Sequence, residues 1–144
     1  MFTIGNITKN RCPKYVDANL GISAVAGVDM KEFQAVRIDA AGLLQLMSAA
    51  DQRCFGITRT GGKAGTEITV DVPFTHILKC KAAGTTAIGD TVQFTSYDAV
   101  NDYNVATVVA YSASVAKPVH GIALTAGAAN AEIMVGVMTS CDVW

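Results

Sequence analysis

Apolar and polar residues alternate with a period of two in segment after segment of this chain. Glu67-Ile68-Thr69-Val70-Asp71-Val72 puts Ile68, Val70 and Val72 on one sheet face and Glu67, Thr69 and Asp71 on the other. Gln34-Ala35-Val36-Arg37-Ile38, Ile77-Leu78-Lys79-Cys80-Lys81, Thr91-Val92-Gln93-Phe94 and Val105-Ala106-Thr107-Val108-Val109 carry related patterns. Turns rich in Gly, Asp or Asn separate the runs at intervals of about 8–12 residues, the spacing of a sandwich or small barrel. Helix is at most a minor part. Residues 40–51 have the Ala and Leu content for one, but Gly42 and an internal repeat favour a hairpin there. Residues 112–117, before Pro118, have room for one helical turn.

The repeat orders these strands. Glu67-Ile68-Thr69-Val70-Asp71-Val72 lines up with Glu132-Ile133-Met134-Val135-Gly136-Val137, and Phe55-Gly56-Ile57-Thr58 with His120-Gly121-Ile122-Ala123, both at an offset of 65. Upstream, an offset of 56 places Ile22, Ala24 and Ala26 on Leu78, Cys80 and Ala82, and Val36 and Ile38 on Val92 and Phe94. The nine-residue difference is assigned to a polar insertion over residues 96–104, with the Asn and Asp content of a surface loop. The expected architecture is all-β: a small β-sandwich or β-tulip-like barrel built from two repeats, about 22–72 and 78–137, within one domain over residues 21–144. Residues 1–20 form an extended N-terminal arm outside the repeat. The arm carries Lys9, Arg11 and Lys14 with no acid before Asp17. It is either an edge strand of its own domain or a segment that orders on a partner by adding a strand to a sheet edge.

Composition sharpens the β reading. Ala occurs 22 times, Val 16, Thr 14 and Ile 10, against 6 Leu and 3 Glu, a bias toward side chains that suit a pleated surface over helix formers. Half the chain, 51%, is hydrophobic, 16% is charged and the net charge is -1. That balance argues against nucleic acid as a partner, because phosphate contacts need a clustered Lys/Arg excess. It argues equally against intrinsic disorder. Mean hydropathy is +0.34, yet no run approaches the roughly 18 apolar residues of a membrane-spanning helix, so no membrane partner is expected. The first residues lack the basic and apolar segments of a secretory signal, so the protein is expected to be made and used without export. Asn6-Ile7-Thr8 fits the glycosylation pattern but is then inert.

Candidate chemistry is sparse. Cys12, Cys54, Cys80 and Cys141 form no C-x-x-C pair and have no nearby His to complete a metal site, so they read as buried thiols, with a disulfide left geometrically open. His120 takes the repeat position of Phe55, which favours packing over proton transfer, and His76 has no partner in sequence. Asp39, Asp51, Asp90, Asp98 and Asp102 fall in turns, where Asp bonds backbone amides. Glu67 and Glu132 match across the repeat as outward polar residues at strand starts, not as an acid and base pair. The tract Gly56-Ile57-Thr58-Arg59-Thr60-Gly61-Gly62-Lys63-Ala64 lacks the first glycine, the Ser/Thr and the following helix of a phosphate loop. No catalytic residue, cofactor or metal is expected.

Ala87-Ile88-Gly89-Asp90-Thr91-Val92, Phe55-Gly56-Ile57-Thr58, His120-Gly121-Ile122-Ala123-Leu124 and the two Glu-Ile strands together carry a family resemblance. Over residues 20–138 the chain resembles the capsid cement proteins of tailed bacteriophages, also called head decoration proteins, and is similar in expected fold to the lambda-type decoration protein. It departs from their usual Gly-Asp turn in the first repeat, where Lys31-Glu32 stands for Gly89-Asp90. The resemblance implies a homotrimer on the outer surface of the expanded phage head, between capsomers of the major capsid protein. It also implies that the arm engages the shell, a role that falls on Phe2, Ile4, Lys9, Arg11 and Lys14. Tyr97, Tyr103 and Trp144 are candidate inter-subunit anchors, since aromatics are enriched at interfaces; Trp144 reads equally well as a frayed terminus. The rival reading is a carbohydrate- or surface-binding β domain displayed on the virion.

Overall fold

The computed structural model describes residues 21–71, 77–110 and 114–143, with side chains described to residue 138. Ten strands and no helix occur among them: β1 (Gly21–Val25), β2 (Ala35–Ile38), β3 (Leu44–Leu46), β4 (Gly56–Thr58), β5 (Glu67–Asp71), β6 (Ile77–Ala82), β7 (Thr91–Asp98), β8 (Tyr103–Val108), β9 (Lys117–Ala123) and β10 (Glu132–Val143). They form two packed five-stranded sheets, one per repeat. The first has the order β1-β5-β4-β2-β3, and the second is a closed barrel, β10-β6-β8-β7-β9.

The two sheets share one wiring. β1 pairs antiparallel with β5 as β6 does with β10, β2 with β3 and β4 as β7 does with β8 and β9. The second sheet closes through a parallel pairing of β6 with β8, Cys80↔Asn104 to Ala82↔Ala106. The first reaches the same point with a single parallel bridge, Ala26↔Leu44. Outside the strands the correspondence continues. Met30 and Gly62 exchange amide hydrogen bonds of 2.8 and 3.0 Å, and so do Thr86 and Gly127. Gly65 and Asn130 both take positive φ, the left-handed conformation that Gly and Asn adopt at least cost.

The alternating residues meet in two clusters. Ala26, Met30, Val36, Leu44, Ile68 and Val70 fill the first unit. Leu78, Cys80, Val92, Phe94, Ile133 and Val135 fill the barrel and are continuous with Ala35, Met47, Cys54 and Ile57 on the outer face of the first sheet. That outer face is therefore where the first unit packs on the second.

Two expectations are corrected. Val36 pairs with Leu46 but Val92 pairs with Val108, so only six of the nine extra residues lie in the second hairpin; the other three lie between β8 and β9. Much of 96–104 is strand, with only residues 99–102 turning, because Ser96, Tyr97 and Asp98 pair with Val105, Asn104 and Tyr103. Second, Phe33-Gln34, not Lys31-Glu32, matches Gly89-Asp90: Gln34 Oε1 accepts from the Lys31 amide as Asp90 Oδ2 does from Ala87, each at 2.8 Å. Asp71, on the face opposite Ile68 and Val70, is buried and pairs with Arg59. Residues 40–51 contain a hairpin, as the repeat predicts, and the described residues 114–117 contain no helical turn.

Candidate interaction surface

Among the described residues, the histidine, cysteines and turn acids singled out in sequence are engaged in structure. His120 is fully buried; its Nδ1 accepts the Phe94 amide at 2.8 Å, its Nε2 donates to the Gln52 carbonyl at 2.8 Å, and its ring stacks on Phe94. Burial lowers its pKa to about 4. The folded protein thus holds a neutral imidazole that the unfolded chain protonates below its ordinary value of about 6.5. His120 stabilises the fold fully above that value, and the contribution declines as pH falls from 6.5 toward 4. Its size is on the order of 3 kcal/mol. Urea titrations at pH 7 and pH 5 should show the loss, and His120→Asn should flatten the profile in that interval; an unchanged slope would contradict the buried neutral ring.

Cys54 and Cys80 are free buried thiols, and desolvation pushes each up to about 12, far from a reactive thiolate. Glu67 and Glu132 lie in different sheets. Glu132 accepts from the Tyr103 hydroxyl at 2.5 Å and pairs with Lys79 at 3.4 Å. Asp39 bonds the amides of Ala41 and Leu43, and Asp98 those of Val100 and Asn101, as turn acids should. The Asn101 amide and Lys81 hold the Asp98 carboxyl below the usual carboxylate range. Among the described residues no three of His, Cys, Asp and Glu gather as a metal site would require.

Beside their apolar contact the two units are joined by polar side chains that are closely bonded. Asn104 accepts the Ala35 amide at 2.8 Å and donates to the Phe33 carbonyl at 2.7 Å. Gln93 and Asp51 exchange hydrogen bonds of 3.0 and 3.1 Å. Lys31 pairs with Asp102 at 2.6 Å, and the Tyr97 hydroxyl donates to the same carboxylate. Beside the seam runs a groove of about 480 Å³ lined by Met30, Lys31, Gln34, Leu46 and Tyr97. Tyr97 is thus half-buried at an internal junction, and Tyr103 is tied to its own barrel. Phe2, Ile4, Lys9, Arg11, Lys14, His76, Cys12 and Trp144 lie outside the described residues, as does the side chain of Cys141.

Sequence reading missed the surface that stands out. On the outside of the barrel, Gly136 of β10 lies between Ile77 of β6 and Ile122 of β9. Leu124 lies over Gly136, where a Cβ would stand 3.6 Å from its methyls, and the Leu124 amide bonds the Met134 carbonyl at 2.8 Å. Ile77, Ile122, Leu124 and Met134 are all exposed, with Ile77 at 65%. Ile88, 72% exposed, sits on the turn whose Gly89 amide bonds Ala123. In the first unit Gly21, Arg59 and Thr69 match Ile77, Leu124 and Met134, and Asp71, paired with Arg59, matches Gly136; Ile57, buried against the second unit, matches Ile122. At the places of Ile77, Leu124 and Met134 the first unit thus has a glycine and polar side chains. Contiguous exposed apolar surface marks interfaces. The repeat offset applied to exposed positions, instead of core ones, would have revealed it.

Compared with known proteins, the chain matches no family model and no curated sequence.

Proposed function

We propose that this protein is a structural virion protein that cements the head of a tailed bacteriophage. It binds the outside of the expanded icosahedral shell as a trimer, at three-fold and quasi-three-fold positions on the major capsid protein, and holds the shell against the pressure of packaged DNA. The observation that carries the reading is the exposed apolar outer face of the second unit, Ile77, Ile122, Leu124 and Met134, where the first unit has Gly21, Arg59 and Thr69 beside the buried Ile57. The chemically capable side chains described above serve packing and turns, while the surface is built for contact. The segments that resemble cement proteins, 87–92 and 120–124, border that face.

The physics suits the task. A protein that binds only the expanded shell stabilises it by mass action. Three equivalent arms on one trimer multiply weak contacts through avidity. The arm, with Phe2, Ile4, Lys9, Arg11 and Lys14, supplies the grip. Removing residues 1–14 should leave a folded domain whose affinity for expanded heads falls at least about a hundredfold, because all three arms are lost together. Co-sedimentation with heads reads this directly, and undiminished binding would remove the arm from the account.

A further inference from the structure

The contact between the two units inside one chain is a template for contact between chains. The first unit presents Ala35 and Ile57, with Asp51 and Gln52 of the following loop, to Asn104, Gln93 and His120 of the second. These patches occupy different places on the shared wiring, so the packing is head-to-tail. Each unit consequently has a face of the other kind left over.

On the second unit, Thr91 and Ile122 stand where Ala35 and Ile57 stand on the first. Val109 stands for Met47, its amide bonding the Thr91 carbonyl as Met47 does that of Ala35. Ile57 is 1% exposed within the internal contact, whereas Ile122 is 36% exposed. On the first unit, Arg37 stands for Gln93 and Phe55 for His120, the two residues that receive the loop of the neighbouring unit. Gln93 bonds both Asp51 and the Pro118 carbonyl, but Arg37 Nε is buried with no hydrogen-bond partner. A presenting face lies open on one unit; on the other, the half-buried Arg37 and Phe55 occupy the receiving positions, with Phe55 leaning on its own unit's core and Arg37 near Asp39.

We infer that a second copy of this chain seats its Arg37 and Phe55 patch on the Ile122 face of the first, repeating the internal contact between molecules. Head-to-tail contacts of this kind close into rings when the rotation permits. Three chains would give a ring of six alternating units; only that number rests on the trimer proposed above. The short turn at 39–42 has no counterpart of Asn104, so the contact between chains lacks that bridge and is weaker than the contact within one.

The test is sedimentation velocity on the full chain, on Ile122→Asp, on Arg37→Glu and on an equimolar mixture of the two variants. The wild type should sediment as an oligomer, and each variant as a monomer with its thermal midpoint retained. The mixture should form one-to-one dimers, because each such pair keeps one intact contact. A monomeric wild type, an oligomer that survives Ile122→Asp, or a mixture that stays monomeric would overturn the inference. Binding of wild-type protein to expanded heads is scored separately. Its absence would remove the capsid reading and leave the self-docking result standing.

Discussion

Gly121→Ala should destabilise the protein by about 3 kcal/mol, at the upper end of what one overpacked methyl does in a tight interior. Gly121 lies between two strands, paired with Val137 of β10 and Val92 of β7. A Cβ there would stand 2.6 Å from Val135 Cγ1 and 2.7 Å from the Gly136 carbonyl oxygen. The valine could rotate, but the carbonyl belongs to a barrel strand bonded on both sides, so relief requires moving β9 against β10. Gly56 meets Val70 Cγ1 and the Asp71 carbonyl in the same way, both at 2.5 Å, so the restriction belongs to the repeated unit. In a chain of this size the loss corresponds to a fall in thermal midpoint of roughly 6–12 °C. Gly84→Ala is the control, since a Cβ there meets nothing within 4 Å, and should stay within about 0.5 kcal/mol of wild type. Equal midpoints for the two variants would contradict the close approach of β9 and β10.

Asn104→Ala should be the most damaging polar substitution, at about 2–4 kcal/mol. The side chain supplies both an acceptor and a donor to the first unit, and truncation leaves the Ala35 amide and the Phe33 carbonyl without it. Each buried group left unsatisfied costs about 1–3 kcal/mol. The Phe33 carbonyl matters particularly, because Phe33 holds a φ of 61° where the second unit has Gly89. A bulky residue is disfavoured there by roughly 1–2 kcal/mol, and the hydrogen bonds on either side help hold it. Lys31→Ala removes the neighbouring ion pair with Asp102, which is exposed and screened by solvent, and should leave stability nearly unchanged. Denaturant unfolding compares the two, and hydrogen exchange at the Ala35 amide should quicken in Asn104→Ala alone. Equal effects from both substitutions would mean that the seam is held by surface charge instead of by the buried bridge.

Much of the fold was legible because the repeat and the two-residue period reinforced each other. Ile68, Val70, Ile133 and Val135 could be placed inward from their alternation alone, and Phe55 against His120 from the offset. Pairing in space was not legible, because the parallel closure of β6 on β8 has no local signature. Nor was the burial of Asp71, which pairs with Arg59 from the bend after β4. The extra chain in the second hairpin read as loop from its Asn and Asp content, yet pairing across the hairpin overrides that local preference. The apolar outer face stayed hidden for a different reason. Ile122, Leu124 and Met134 look like core residues by type, and only the repeat offset, which sets Leu124 on Arg59 and Met134 on Thr69, marks their outward direction in sequence.

The central claim is binding to expanded phage heads, and retention of packaged DNA measures its consequence most directly. DNA-filled heads assembled without the protein should release their DNA at a lower temperature than the same heads saturated with it, and unexpanded heads should not take it up. Equal release temperatures with and without the protein would contradict a cementing role.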